Sequence, residues 1–174
     1  MKKKRVLVVL GGTSREREVS LESGKSCILA LKKIGHSVLK FDPKFLSLDK
    51  IKKNNPDIIF NALHGKDGED GKVQSFFEYF RIPYTHSGVL SSMIAMNKHF
   101  SKQLFTKNKV RTPNYFFLNR KDYSNINLYQ KIRKNKLTFP IVMKPNDEGS
   151  SIGVKICKNF IFLKKEFRKA KKNY

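Results

Sequence analysis

The sequence predicts an α/β protein whose first part is built on a parallel sheet. Three short apolar segments, residues 6–10, 36–41 and 57–60, have the length and composition of buried strands. Between them lie an amphipathic helix that starts after Ser14 and a short polar helix at residues 46–54. A β-α-β-α-β order is typical of parallel sheets, because two parallel strands need a crossover connection and a helix usually supplies it.

The helix after the first strand brings charged residues to one edge of the sheet. Small and apolar residues are expected to hold this helix against the sheet, namely Val19, Ser23, Cys27, Ala30, Leu31 and Ile34. Glu16, Arg17 and Glu18 occupy its first turn, at the sheet edge where α/β proteins bind ligands. The preceding Gly11 and Gly12 lack the G-x-G-x-x-G spacing of a dinucleotide site, and the carboxylates would repel a pyrophosphate. The acidic turn favours a cationic ligand such as a substrate ammonium, unless the carboxylates only complement the helix dipole.

A glycine-rich loop at residues 61–71 follows the third strand at the same edge of the sheet. It is expected to bring His64 and Glu69 towards Glu16, since parallel strands end together. Either a site residue or a hydrogen-bonded structural histidine fits the position of His64. The helix after this loop is predicted to bury a stripe of Val73, Phe76, Phe77 and Phe80.

The character of the sequence changes near Lys98, and we predict a domain boundary there. Before the boundary, residues 81–85 are predicted to form a short strand and residues 89–96 a helix of small residues. Beyond it, the predicted elements are a helix at 100–108, a strand at 115–118, a polar helix at 123–136, a buried strand at 141–144 and a last strand at 154–157.

The last two predicted strands form a hairpin around a Gly/Ser-rich loop, residues 145–153. Backbone N–H and hydroxyl groups of such a loop suit phosphate oxygens, and Lys144 beside it adds a positive charge. It is not a Walker A loop, because Gly-Lys-Ser/Thr is absent and a strand follows it. Considered alone, the loop is also explained as an ordinary hairpin turn.

Composition narrows the classes of protein that fit. Lys and Arg number 37 against 14 Asp and Glu, a formal net charge of +23, but they are dispersed along the chain. We therefore interpret them as a surface bias and not as a nucleic-acid footprint. Cys27 and Cys157 are isolated and the four His show no metal-ligand spacing, so neither a disulfide scaffold nor a zinc site is expected. The apolar run at residues 6–10 is too short for a signal peptide, and no run approaches transmembrane length.

The motifs together resemble the bacterial D-alanine–D-alanine ligase family. In chain order they are residues 11–20 (GGTSREREVS), 62–65 (ALHG), 68–71 (GEDG), 83–85 (PYT) and 144–153 (KPNDEGSSIG). The resemblance runs from Arg5 to about Cys157. It implies a Rossmann-like parallel-sheet domain that binds substrate, residues 1–97. This is followed by the first, α+β half of an ATP-grasp fold, residues 98–174, expected to be incomplete at its C-terminus.

The resemblance also implies an activity and roles for single residues. The activity is ATP-dependent ligation of two D-alanines to D-alanyl-D-alanine through an acyl phosphate, for peptidoglycan precursor synthesis. Glu16 would hold the ammonium of the first D-alanine, with His64 beside that subsite. Ser150 would act with Glu16 in the catalytic hydrogen-bond network.

The ATP phosphates are assigned, by the same resemblance, to Lys98 and Lys144 and to the loop residues Gly149 and Ser151. The implied cofactors are ATP and Mg²⁺ (or Mn²⁺), with metal ligands beyond residue 174 and none within the chain. The expected partners are D-alanine, ATP and a second copy in a homodimer, in the cytoplasm, with no nucleic acid and no membrane. Family members continue beyond this length, so these 174 residues alone are expected to be inactive.

Other functions stay open at this point. A D-alanine–D-lactate ligase, or another ATP-grasp carboxylate–amine ligase, shares these motifs. A basic nucleic-acid-binding protein is the alternative from a different class, and the net charge of +23 is its only support.

The dispersed charge predicts that the protein does not bind nucleic acid through a dedicated surface. Titration with duplex and single-stranded DNA at physiological salt should give no binding at micromolar concentrations. Each phosphate contact releases counterions, so genuine recognition would weaken steeply as salt is raised. Micromolar or tighter binding with that salt dependence would overturn the interpretation of the charge.

Overall fold

The structure is a computed structural model that describes residues 2–123 and 126–173, and the chain divides into two compact units. The first unit runs to Lys98 and takes in Asp147–Ser150, while the second begins at His99 and holds the other described residues. The Gly/Ser-rich loop is therefore divided between the units, which the sequence did not predict.

A three-stranded parallel sheet organises the first unit. Its elements are β1 (Arg5–Val9), α1 (Arg17–Lys33), β2 (Ser37–Phe41), a 3-10 helix at Leu48–Asn54, β3 (Ile58–Asn61), α2 (Lys72–Tyr79) and α3 (Val89–Met96). The strand order is β2-β1-β3, with Val6 level with Val38 on one side and Ile58 on the other. The prediction of an α/β fold with a parallel sheet is confirmed.

Alternation along β1 explains how the sheet is covered on both faces. Leu7 and Val9 join a cluster with Phe41 and Phe77, while Val8 belongs to the opposite cluster, against which α1 packs. Successive strand residues point to opposite faces, so a central strand buried on both sides is apolar at every position. The carboxyl ends of the strands meet at one edge, where the polar loops lie.

The face that α1 turns towards the sheet agrees only in part with the predicted one: Leu31 packs against the core as predicted, but other members of the predicted stripe do not. Val19 and Ile34 are 49% and 58% exposed, whereas Ser20 and Gly24 are buried. A Cβ at Gly24 would lie 2.6 Å from Leu10 Cβ, so the helix approaches β1 too closely for a side chain there. The apolar spacing missed the centre of this face because the contacts there are made by a glycine and a serine.

The helix α2 buries only part of its predicted stripe. Val73 and Phe77 are 2% and 0% exposed, as predicted, but Phe76 is 42% exposed and lies outside the core. The segment 81–85 is not a strand either. It forms a single parallel bridge, between Tyr84 and Ile59, because its backbone bonds to the sheet only around that one residue.

The second unit is built from short elements. They are α4 (Lys98–Lys107), which starts at the boundary residue, a 3-10 helix at Arg120–Tyr123, α5 (Leu128–Lys134), β4 (Ile141–Met143), β5 (Lys155–Cys157) and α6 (Phe160–Asn173). The strands β4 and β5 form the predicted antiparallel hairpin. Val142 is 53% exposed, however, so β4 is not the buried strand that its composition indicated.

Two further predictions for the second unit were wrong. Residues 115–118 do not form a strand, and the aromatic side chains there contact a histidine instead: the His99 ring stacks on Phe117 at 4.5 Å between centroids and lies 5.8 Å from Tyr115. The helix predicted at 123–136 is shorter, because Asn127 caps it by accepting the N–H of Gln130. Ser124 and Asn125 of that predicted helix lie outside the described residues.

Replacing Ser20 by alanine should destabilise the fold. Ser20 is fully buried, and its hydroxyl accepts the N–H of Gly11 at 2.8 Å and donates to the carbonyl of Ala62 at 2.6 Å. The Ser20→Ala change leaves both backbone groups buried without a partner, which typically costs about 1–3 kcal/mol. The free energy of unfolding, measured in urea, checks this.

Ser26→Ala is the matched control, because Ser26 lies on the same helix and is exposed. Both changes make the same small gain in helix propensity. Equal unfolding free energies for the two variants would contradict the role given to the Ser20 hydroxyl.

Candidate functional site

The turn between β1 and α1 is held by an ion pair. Gly11 and Gly12 have φ of +84° and +70°, a conformation that glycine adopts without strain. Asp42, just after β2, accepts the N–H of Gly12 at 3.0 Å, and the Arg17 guanidinium pairs with it at 2.8 Å. Arg17 also donates to the carbonyl of Gly12 at 2.7 Å. These contacts assign Arg17 to the architecture of the turn.

The charge of Asp42 is stabilised by the same contacts. Burial alone would raise its pKa, but the Arg17 guanidinium and the N–H groups of Lys44 and Gly12 hold the pKa of this carboxyl below its usual value. The ion pair is thus present at neutral pH, and the turn is correspondingly rigid.

Glu16 stands at the N-terminus of α1 and is only 8% exposed. Its Oε1 atom is buried and, within residues 2–123 and 126–173, accepts no hydrogen bond. Two glycines flank this atom: a Cβ added at Gly65 or at Gly149 would lie 2.6 Å from Oε1 in each case. Glu18, by contrast, is exposed. A role in the helix dipole suits Glu18, whereas the burial of Glu16 favours a ligand.

The surroundings of Glu16 disfavour its ionised form. Burial raises the pKa of its carboxyl above the usual value, and the nearby Glu69 and Glu148 carboxylates raise it further, while His64 opposes them. A carboxylate in this setting gains free energy from a bound cation, because a cation compensates both the lost hydration and the repulsion.

His64 is tied to the same network. Its Nε2 lies 3.0 Å from Ser23 Oγ, and its Nδ1 lies 3.8 Å from Glu69 Oε1. Its backbone carbonyl accepts a hydrogen bond from Ser14 Oγ at 2.7 Å, and that oxygen accepts the N–H of Glu16 at 3.1 Å. The fold therefore brings Glu16, His64 and Glu69 together at the sheet edge.

Two residues of this site, Glu69 and Gly65, have roles that the sequence pattern does not indicate. Glu69 accepts the N–H of Gly65 at 2.7 Å and so fixes the loop beside Glu16. Gly65 itself has φ of +69° and leaves room for the Glu16 carboxylate. The dense glycines of residues 61–71 were the available signal, but their contact with Glu16 depends on the tertiary structure.

Lys98 and Gly149 both belong to the first unit. Lys98 Nζ donates to the backbone carbonyl of Glu148 at 2.5 Å. Gly149, the next residue, lies against Glu16. This stretch of the predicted phosphate loop is thus in contact with the carboxylate site.

The other predicted phosphate-binding residues are exposed. Lys144 follows β4 in the second unit, where burial and the charge of Lys144 lower the pKa of Lys102. Ser150 and Ser151 adopt φ of +43° and +61°, which is uncommon for residues with a side chain. Ser150 directly follows Gly149 in the chain.

In the described residues 2–123 and 126–173, no group of three or more His, Cys, Asp or Glu side chains is placed to hold a metal ion. In that part of the chain, no helix has both the length and the apolarity needed to cross a membrane. Cys27 and Cys157 are both free thiols.

A cleft of about 280 Å³ opens at the same edge of the sheet, and its lining includes Gly12, Ser14, Leu63 and His64. The first unit thus has the architecture of the α/β class of proteins, with a cleft and a buried carboxylate at the carboxyl ends of its parallel strands. This is the usual location of small-ligand sites in that class.

Comparison with known proteins identifies the family. The family model described as "D-ala D-ala ligase N-terminus" matches residues 43–87, and the one described as "D-ala D-ala ligase C-terminus" matches residues 104–173. D-alanine–D-alanine ligase of Pelagibacter ubique (strain HTCC1062) is 47% identical over 161 residues, which are 92% of this chain and 52% of that protein. That of Methylobacterium radiotolerans is 46% identical over 158 residues, 90% of this chain and 48% of that protein. The chain belongs to the D-alanine–D-alanine ligase family, as its motifs predicted.

Solved structures agree with this. The crystal structure of D-alanine–D-alanine ligase from Bacillus anthracis has a TM-score of 0.83 and 36% identity, over 97% of this chain and 54% of that one. The same enzyme complexed with ATP has a TM-score of 0.81 and 33% identity, over 97% and 55%. The chain spans about half the length of the curated relatives it matches.

The raised pKa of Glu16 predicts that Glu16→Gln stabilises the protein at neutral pH. With a folded-state pKa above that of the unfolded chain, the carboxyl destabilises the fold as pH rises from about 4 through the folded-state pKa. Glutamine does not ionise, so the variant should have the higher melting temperature at pH 7. The gain should vanish below about pH 4, where the carboxyl is protonated in both states.

Glu18→Gln is the control, since it removes the same charge from an exposed position in the same helical turn. It should show no such gain. If Glu16→Gln is no more stable than the wild type at any pH, the electrostatic description of the site is wrong.

Proposed function

We propose that the protein carrying this chain joins two D-alanines to D-alanyl-D-alanine through an acyl phosphate, at the expense of ATP, in peptidoglycan precursor synthesis. The observation that carries the proposal is the buried Glu16 carboxylate, whose Oε1 has no hydrogen-bond partner among the described residues. Family membership supports the reaction class, because the relatives are named for this product.

The site suits the ammonium group of an amino acid. Glu16 supplies a desolvated carboxylate, and the carboxylates of Glu69 and Glu148 make the surroundings more negative. An ammonium would donate a hydrogen bond to Oε1 of Glu16 and would neutralise the charge of the carboxylate. The unpaired oxygen and the uncompensated charge are the two factors that make this buried carboxylate unfavourable. His64 lies in the same network and would border the bound amino acid.

ATP fits the donor chemistry of the remaining predicted residues. When bound, it supplies the phosphoryl group that activates the D-alanine carboxylate. Lys98 and Lys144 offer ammonium groups for its phosphates, and the N–H groups of Gly149 and Ser151 are further donors. For Mg²⁺ or Mn²⁺ the described residues offer no matching cluster, so no step is assigned to a metal here.

Ser150 is proposed to help position Glu16, because it directly follows Gly149, which touches that carboxylate. A homodimer in the cytoplasm completes the proposal, and both properties rest on the family resemblance alone.

The role of Glu16 predicts a kinetic effect of Glu16→Gln in the protein with its whole natural sequence. Removing one partner of a buried charge pair typically costs about 3–5 kcal/mol, so kcat/KM for D-alanine should fall on the order of a hundredfold or more. Release of ADP that depends on D-alanine is the measurement, with Glu18→Gln as the control that keeps wild-type kinetics.

Unchanged D-alanine dependence in Glu16→Gln would refute the assigned role. Supplying D-lactate with D-alanine tests the alternative product. If the wild-type protein forms the D-alanine–D-lactate ester in preference to the dipeptide, the protein is a D-alanine–D-lactate ligase instead.

A further inference from the structure

Two glycines, Gly65 and Gly149, lie beside one oxygen atom of the Glu16 carboxylate. The Cβ positions of both Gly65 and Gly149 lie 2.6 Å from Glu16 Oε1, far inside the separation at which carbon and oxygen atoms can coexist. At Gly149, Cδ and Oε2 of Glu16 also lie within 3.5 Å and 3.7 Å. The absence of both side chains is therefore what allows the carboxylate to occupy its place.

The two positions differ in their backbone. Gly65 has φ of +69°, so its replacement would combine backbone strain with a steric clash. Gly149 is not among the glycines with positive φ, and its backbone accepts other residues. The need for glycine at position 149 thus comes from the contact with Glu16.

The contact is with the mobile end of a side chain. A methyl group at Gly149 can be accommodated if the Glu16 carboxylate moves, and this should leave the fold intact. The loop at Gly65, which the Glu69 carboxylate holds through the Gly65 N–H, also lies against Oε1 and reduces the room into which the carboxylate can move. The displaced carboxylate would therefore leave its buried position.

We infer that Gly149 is a positioning residue of the amino-substrate site: it sets the place of the Glu16 carboxylate, in addition to any contact of its N–H group with phosphate. The inference rests on the proposed function for its kinetic consequence. The stretch Asp147–Ser150 then contributes to the amino-acid site through Glu16, a role that its Gly/Ser composition does not indicate. The hydrogen bond from Lys98 Nζ to the backbone carbonyl of Glu148 would hold the neighbouring Gly149 at this distance from Glu16.

The kinetic test is Gly149→Ala in the protein with its whole natural sequence. We expect KM for D-alanine to rise about tenfold or more, the range for disturbing a buried charged contact, with a smaller change in KM for ATP. The melting temperature should not fall by more than a degree or two below that of the wild type, because the backbone of residue 149 accepts alanine and the carboxylate is relieved of its burial. A rise in KM for ATP alone would overturn the inference, because a phosphate contact would then explain the residue fully.

A double-mutant cycle isolates the contact. Glu16→Asp shortens the side chain by one methylene, so the methyl group of Gly149→Ala should cause a smaller change in that background than in the wild type. Equal effects in both backgrounds would contradict the inference. Gly88→Ala is the matched control, because Gly88 has φ of −68° and its Cβ would meet Glu78 Oε1 at an ordinary 3.4 Å.

A second measurement separates the inference from the proposed function. Carbon-13 NMR of the labelled Glu16 carboxyl, assigned with Glu16→Gln, reports its environment without any substrate. Its titration midpoint should change in Gly149→Ala and stay unchanged in Gly88→Ala. If the wild type shows no turnover of D-alanine, the proposed function fails while this result stands. If the midpoint does not change in Gly149→Ala, the positioning role fails whatever the activity.

Discussion

A buried carboxylate oxygen without a hydrogen-bond partner is unfavourable, and among residues 2–123 and 126–173 Oε1 of Glu16 is such an atom. Glu16 is buried beside Gly65 and Gly149, near two other carboxylates. Protein interiors rarely contain such groups unless a ligand or a partner completes them. A bound cation would stabilise the ionised form of this carboxyl, whatever the identity of the ligand.

The surrounding turn leaves Glu16 free for that purpose. A residue at a helix N-terminus commonly uses its side chain to cap the backbone, but Glu16 makes no such bond. Ser14 accepts the Glu16 N–H, while Ser20 and Asp42 accept those of Gly11 and Gly12. None of these three backbone N–H groups uses the Glu16 carboxylate as its acceptor.

Stability and function are opposed at this position. The interactions that raise the pKa of Glu16 weaken the folded state at neutral pH, and they also increase the gain from binding a cation. The backbone around Glu16 must be held in place for either effect to arise, since a mobile carboxylate would turn towards water. The Arg17–Asp42 ion pair at 2.8 Å and the Gly65 N–H bond to Glu69 at 2.7 Å provide that support.

The sequence by itself determined the fold class and the family. Apolar segments alternating with helices predict a parallel sheet, and short motifs such as residues 11–20 and 144–153 are specific enough to identify the D-alanine–D-alanine ligase family. Both signals are local, so they can be read without knowing which residues meet in space. The convergence of Glu16 and His64 also followed from local patterns, since parallel strands end at one edge.

Only the tertiary structure decided which residues touch. Apolar spacing predicted only part of the buried face of α1, because close approach at Gly24 and two hydrogen bonds at Ser20 determine the rest of that contact. Composition likewise indicated that Gly149 is a phosphate-loop residue, and its contact with Glu16 joins positions far apart in the chain. Glycine carries no side-chain signal, so the reason for a glycine is visible only from the atom that occupies the space beside it.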